Sequence, residues 1–214
     1  MLNIISNNCV GGFITRDILH TEYKNPFIWT TTEARDMISL LSNFMTINWA
    51  KFSLEMDDKG TMFGIIDNKV KTRFTHYKLN PNAHKIVIGG PANNDVYSDK
   101  IWEYIYLKYI SRVKRLCTCG ITPIFICCGA NNRPRYDFGK DFTLDEQEQL
   151  YHIATANEVR LIISFKNNIN LPNTEYVTIV EQTQSFLHDG IDFAKYLWNN
   201  AVQEVYRMQT NCTQ

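Results

Sequence analysis

A near-continuous apolar run over residues 121–128 follows the longest amphipathic stretch of the chain. An apolar run without polar alternation predicts a strand covered on both faces, as parallel strands between helices are. The stretch before it begins at Ser98. Ile101, Trp102, Ile105, Tyr109, Val113 and Leu116 fall on one helical stripe, flanked by Tyr106 and Ile110, and Gly120 marks the stop. The unit then recurs. Thr143 and Glu146 have the spacing of a capping box and open a helix to about Ala156. Residues 159–165 and 176–180 are further strands around an asparagine-rich turn with Pro172, and residues 189–208 are helical by pattern. Strands alternating with helices predict an α/β fold of three layers, a mixed, mostly parallel sheet with helices on both faces.

The first half reads differently. An apolar strand at residues 2–5 ends in an Asn-Asn-Cys-x-Gly-Gly turn, and residues 13–19 have the composition of a helix. Asn25-Pro26-Phe27 ends that unit, because proline pushes the residue before it into extended geometry. Thr30 and Glu33 have capping-box spacing ahead of a helix that carries Met37, Leu40, Leu41 and Phe44 on one face. Residues 51–56 alternate as a strand, Asp57 to Gly60 form a turn, and residues 61–66 and 70–77 make a hairpin joined at Asp67-Asn68-Lys69. Residues 85–88 are a short strand. The hairpin adds an antiparallel portion to the sheet. No repeat or linker divides the chain, so residues 1–214 are expected to form a single α/β domain.

The balance of 22 basic against 22 acidic residues gives no reason to expect a nucleic-acid partner. No apolar run approaches the roughly 18 residues of a transmembrane segment, and no basic-then-apolar leader opens the chain. A soluble, cytoplasmic protein is expected. The six cysteines (Cys9, Cys117, Cys119, Cys127, Cys128 and Cys212) lack zinc-ribbon spacing. Cys127 and Cys128, inside an apolar strand, read as small buried residues. Asp57-Asp58 and Asn93-Asn94-Asp95 have oxygen ligands for a hard cation, but solvated turns explain them as well. No cofactor is expected, and no metal site.

The opening turn is the leading site candidate. A strand, a polar glycine-containing turn and a helix build a site at the carboxyl end of a strand. Backbone amides around Ser6, Asn7, Asn8, Gly11 and Gly12 can hold a phosphate, and the asparagine side chains can bind sugar hydroxyls. Cys9 is a nucleophile if a base lies near and its pKa is depressed. The competing reading is a plain asparagine-glycine turn. The pattern is neither a dinucleotide fingerprint nor a Gly-Lys-Ser/Thr phosphate loop. His76, at the hairpin end with Tyr77 and Lys78, is a candidate base, with a sheet-edge histidine as the alternative. A long polar loop over residues 129–142 carries Asn131, Asn132, Arg133, Arg135, Asp137, Lys140 and Asp141. Arg133 and Arg135 can meet phosphate, whereas Arg112, Lys114 and Arg115 on the long helix fit a solvated face. Trp29, Trp49 and Tyr136 can stack on sugar rings or simply fill a core.

These residues carry a resemblance. Ser6-Asn7-Asn8-Cys9-Val10-Gly11-Gly12, then Asn25-Pro26-Phe27, a helix and a hairpin ending His76-Tyr77-Lys78 resemble the bacterial family known as domain of unknown function 1919. The resemblance is most specific in the first 80 residues and weaker through the helix with Trp102, Arg112 and Arg115. Relatives tend to follow with a strand ending in an Asp-Arg-Asp-Gly-like turn. Here Cys127-Cys128-Gly129-Ala130-Asn131-Asn132-Arg133 stands in its place. The resemblance implies an α/β fold and a setting of exopolysaccharide or capsule biosynthesis, without fixing a reaction.

In that setting the expectation is a glycan-modifying transferase, glycosyltransferase-like, with a nucleotide sugar or other phosphorylated sugar as donor and a glycan as acceptor. The opening turn would hold substrate and His76 would act as base. Two alternatives stand beside it: a non-catalytic glycan-binding or assembly protein, and a hydrolase or acyltransferase using Cys9 with His76. The joint site requires Asn7, Asn8 and His76 to line one cleft.

Overall fold

A computed structural model describes residues 2–23, 25–58, 61–80, 85–88, 95–118, 123–129, 141–183 and 190–211. Two sheets form. The first holds β1 (Ile4–Ser6), β8 (Ile124–Cys128), β9 (Leu161–Ser164) and β10 (Val177–Ile179), in that order and all parallel. The second is antiparallel, ordered β3 (Phe52–Met56), β4 (Thr61–Ile66), β5 (Val70–Asn80), β6 (Lys85–Ile88) and β7 (Asp95–Tyr97), with β2 (Thr30–Thr32) paired to β5. The α/β architecture is the predicted one. The antiparallel part is a sheet of its own rather than an extension of the parallel one.

The period of two along each parallel strand sorts its side chains to two faces. Ile5, Phe125, Cys127, Leu161, Ile163 and Val177 pack with α2 (Ala34–Asn43), α4 (Leu144–Ala156) and part of α3 (Ser98–Thr118). Ile4, Ile124, Ile126, Cys128 and Ile162 pack with α1 (Val10–Phe13), α5 (Gly190–Leu197) and α6 (Gln203–Asn211). Helices therefore cover both faces. All five residues of β8 are buried, which explains its unbroken apolar run. α3 spans two cores. Tyr109 and Val113 join the parallel-sheet cluster, and Ile105 joins Met62 and Phe74 of the antiparallel sheet. Arg112 is buried and donates to the Ile28 carbonyl at 3.1 Å, while Arg115 donates to the Tyr23 carbonyl at 3.1 Å. These two arginines dock the helix on the segment before β2, which corrects their reading as a solvated face.

Local chemistry explains other outcomes. The β4–β5 turn puts both Asp67 and Asn68 at positive φ, the geometry of a two-residue hairpin loop. The Thr143–Glu146 capping box forms as predicted. The Thr30–Glu33 box does not: Thr30 is in β2, its hydroxyl donates to the Phe27 carbonyl at 2.8 Å, and Glu33 itself is the N-cap of α2. Two π-helical segments interrupt the expected helices, at Ile14–Ile18 and Trp198–Val202. Trp49 packs edge-on against Phe27 and Phe44, as a core residue does. Among the described residues, no helix is long and apolar enough to cross a membrane.

Candidate functional site

β1 stops at Ser6, opposite Ile126, two residues before its neighbour β8 ends at Cys128. The next residue completes the ladder with its side chain. The Asn7 amide donates to the Ile126 carbonyl at 3.1 Å. The Asn7 backbone carbonyl instead accepts from Thr32 of β2 at 2.8 Å. Asn7 Oδ1 therefore takes the Cys128 amide at 3.0 Å, and Asn7 Nδ2 donates to the Cys128 carbonyl at 3.1 Å. The carboxamide stands in for one further peptide unit, and Asn7 joins both sheets.

Asn8 locks the turn from the other side. Its Nδ2 donates to the Cys128 carbonyl at 3.0 Å and lies 3.2 Å from the Cys128 Sγ. Its Oδ1 accepts the Val10 amide at 3.0 Å. The Gly11 amide donates to Ser6 Oγ at 3.0 Å, and that hydroxyl donates to the Asn8 carbonyl at 2.5 Å. The amides of Gly12 and Phe13 both donate to the Cys9 carbonyl. Every amide from Val10 to Phe13 thus has a protein acceptor, with which a bound oxyanion would have to compete. The two glycines allow close approach. A Cβ on Gly11 would sit 2.6 Å from Ser6 Oγ, and one on Gly12 would sit 2.9 Å from the Trp29 ring. Trp29 has φ 63°, strained for a tryptophan, and Arg16 lies 4.9 Å over its ring.

Around Cys128 the turn meets later parts of the chain. Cys128 is opposite Ser164 in the β8–β9 register, so their side chains share the α1/α5 face. Burial pushes the Cys128 thiol up to about 12, despite the bond from Asn8, and the neighbouring Asp141 and Cys9 push the same way. Cys127 is driven well up by burial. Neither thiol ionises near neutral pH, which makes both poor nucleophiles. Cys9 is half-buried at the head of α1.

The next residue, Gly129, is overhung by two side-chain oxygens. A Cβ there would meet Asp141 Oδ1 at 2.5 Å and Gln182 Oε1 at 2.8 Å. Gln182 Nε2 donates to the Gly129 carbonyl at 3.1 Å, and the Gly129 amide donates to the Ser164 carbonyl at 3.0 Å. Asp141 Oδ1 and Ser164 Oγ are buried and have no hydrogen-bond partner among the described residues. Burial raises the Asp141 carboxyl above its ordinary range, with Lys166 opposing.

The structure therefore brings Ser6, Asn7, Asn8, Cys9, Gly11 and Gly12 to the carboxyl edge of the parallel sheet, beside Cys128. His76, Tyr77 and Lys78 are on β5, in the antiparallel sheet, and their side chains lie outside the described residues. Arg133 and Arg135 also lie outside the described residues. Asp141 was legible only as one polar residue of a long loop. Ser164 and Gln182 gave no signal, because each is a lone polar residue next to apolar or mixed sequence.

An open α/β sheet with a polar cluster outside its carboxyl edge is the class of protein these features define. Residues 1–86 match the family described as "Domain of unknown function (DUF1919)", which bears out the resemblance over that stretch. The match covers the opening turn and the β4–β5 hairpin and stops before Cys128, Asp141, Ser164 and Gln182. No curated protein matches the chain.

Proposed function

We propose that the chain is a glycan-modifying transferase, glycosyltransferase-like, in surface polysaccharide or exopolysaccharide biosynthesis. It takes a phosphorylated sugar donor and a glycan acceptor. The observation that carries this reading is the half-buried Asp141 carboxyl, its Oδ1 buried, at the carboxyl edge of the parallel sheet, where open α/β folds place ligands. A carboxyl whose pKa burial raises is a better proton acceptor than a free one, which suits a general base. It takes the proton of an acceptor hydroxyl as that oxygen attacks the anomeric carbon of the donor. The bond to the donor phosphate breaks and the phosphate leaves with the electron pair. Lys78, Arg133 and Arg135 are the candidate phosphate contacts, and His76 is the rival base.

A panel of nucleotide sugars, with and without Mg²⁺ or Mn²⁺, tests the proposal by thermal melting. A donor at a hundred times its Kd stabilises the fold by about 2.7 kcal/mol, a shift of several degrees. No shift with any donor at millimolar concentration removes the reading. With a donor in hand, Asp141→Asn is expected to lower kcat by about 100-fold or more while donor binding persists. An equal loss in His76→Ala with Asp141→Asn unaffected would transfer the role of base to His76.

A further inference from the structure

We propose that Asp141 and Gln182 form a proton-holding pair above Gly129, in which the protonated Asp141 carboxyl donates to Gln182 Oε1. The pair deepens the transferase reading, in which Asp141 is the base and Gln182 becomes its positioning residue, and it rests on that reading for nothing else. Three observations carry it. A Cβ on Gly129 would lie 2.5 Å from Asp141 Oδ1 and 2.8 Å from Gln182 Oε1, so both oxygens crowd one point above the strand end. The Gln182 carboxamide has its orientation set, because Nε2 donates to the Gly129 carbonyl at 3.1 Å and Oε1 is the end left beside Asp141. Gly129 is anchored in turn, its amide donating to the Ser164 carbonyl at 3.0 Å. Finally, Asp141 Oδ1 is buried and has no hydrogen-bond partner among the described residues, which calls for an explanation.

What each oxygen can do decides the rest. A carboxamide oxygen only accepts, and an ionised carboxylate only accepts, so with Asp141 ionised the two crowd one another with no hydrogen between them. A proton on the carboxyl supplies the missing donor and removes a charge that burial penalises. A flipped Gln182 amide would offer Nε2 to Asp141, but it would turn Oε1 onto the Gly129 carbonyl. Burial already raises the Asp141 carboxyl, and a hydrogen bond made only by its neutral form raises it further. Among the described residues, Lys166 favours the ionised form, the Cys128 thiol stays protonated and adds no charge, and Glu181 beside Gln182 is exposed. In the transferase reading, the proton that leaves the acceptor hydroxyl is then held on Asp141 against Gln182 until solvent takes it.

The experiment is a pH titration of the full chain, read by NMR from the side-chain carboxyl carbon of Asp141 and the side-chain amide of Gln182. The two signals are expected to move with one midpoint, and in Asp141→Asn the Gln182 amide should lose that titration. Gln182→Met keeps the length of the side chain and removes the acceptor. It should lower the Asp141 midpoint by about one pH unit. Gln182→Glu should raise the midpoint instead, because two carboxyls in contact resist ionising together. A site that merely loosens would lower it in both variants. A midpoint unmoved or lowered in both overturns the proposal, and so does a Gln182 amide that ignores the titration of Asp141. If neither Gln182 variant folds, the Gln182 signals of the parent and of Asp141→Asn decide. The two readings separate. Coupled titration without a donor-induced melting shift keeps the pair and sinks the transferase. A donor shift with transfer lost in Asp141→Asn, and an Asp141 midpoint unmoved in both Gln182 variants, does the reverse.

Discussion

The turn from Asn7 to Phe13 and the corner at Gly129 occupy neighbouring strand ends, yet they treat their polar groups in opposite ways. In the turn, side-chain and backbone groups satisfy one another. Asn7 extends the ladder, Asn8 binds both Cys128 and the Val10 amide, and Ser6 bridges Gly11 and Asn8. At the corner, Asp141 Oδ1 and Ser164 Oγ are buried and left without partners among the described residues. The turn is built to hold the strand ends in place. At the corner, hydrogen-bonding capacity is unspent among the described residues. Polar residues crowded at a strand end do not by themselves mark a binding surface, because they can satisfy one another.

Asn7→Ala gives the largest expected effect and attacks the first half of that contrast. It removes the acceptor of the Cys128 amide, while the Cys128 carbonyl keeps Asn8. Stranding one buried amide and losing a second bond costs about 3 kcal/mol. The midpoint of urea denaturation should fall accordingly, with an unchanged slope. A variant as stable as the parent would mean that the turn is not a structural lock, and the contrast with the corner would collapse.

Asp141→Asn probes the second half through pH. Burial raises the folded-state pKa of Asp141 above the ordinary 3.8, so the folded chain keeps this proton to higher pH than the unfolded chain does. Stability attributable to this group is therefore greatest in acid and falls as pH rises from about 4 through the raised folded value. The asparagine variant lacks that slope. Its denaturation midpoint should gain on the parent's as pH rises toward neutral, and the gain should vanish in acid. A difference that is flat with pH would show that the carboxyl is already well solvated or paired, and the corner would lose its distinction from the turn.

The sequence made one of these regions visible and hid the other, for a physical reason. Ser6 through Gly12 is contiguous, so its asparagines, cysteine and glycines can be read together. The corner takes Gly129, Asp141, Ser164 and Gln182 from four separated segments, which meet only in the folded chain. The same division runs through the fold. The strands β8 and β9 and the helices α2, α3 and α4 are legible because burial imposes apolar runs and stripes. β2 was not, because three threonines before a helix suit a cap as well as a strand, and only pairing with β5 decides. Nor were the π-helical segments, whose period differs little from that of an α-helix over five residues. That Asn7 serves as a ladder rung could not be foreseen, since it depends on where β1 leaves β8.

Ser164→Ala carries the smallest expected change and the finest test of the contrast. Both Ser6 and Ser164 are buried serines on the same face of the parallel sheet. Ser6 Oγ accepts from Gly11 and donates to Asn8, so its loss would strand a buried amide. Ser164 Oγ makes no bond to a described residue, so removing it ends a desolvation cost without breaking anything. The methyl side chain is also smaller by only one oxygen, so little cavity forms. Ser164→Ala should leave stability within about 0.5 kcal/mol of the parent or raise it slightly, read as a shift in the urea midpoint at neutral pH. A loss of about 1 kcal/mol or more would reveal a structural bond at this hydroxyl. Ser164 would then belong with the saturated turn rather than with the corner.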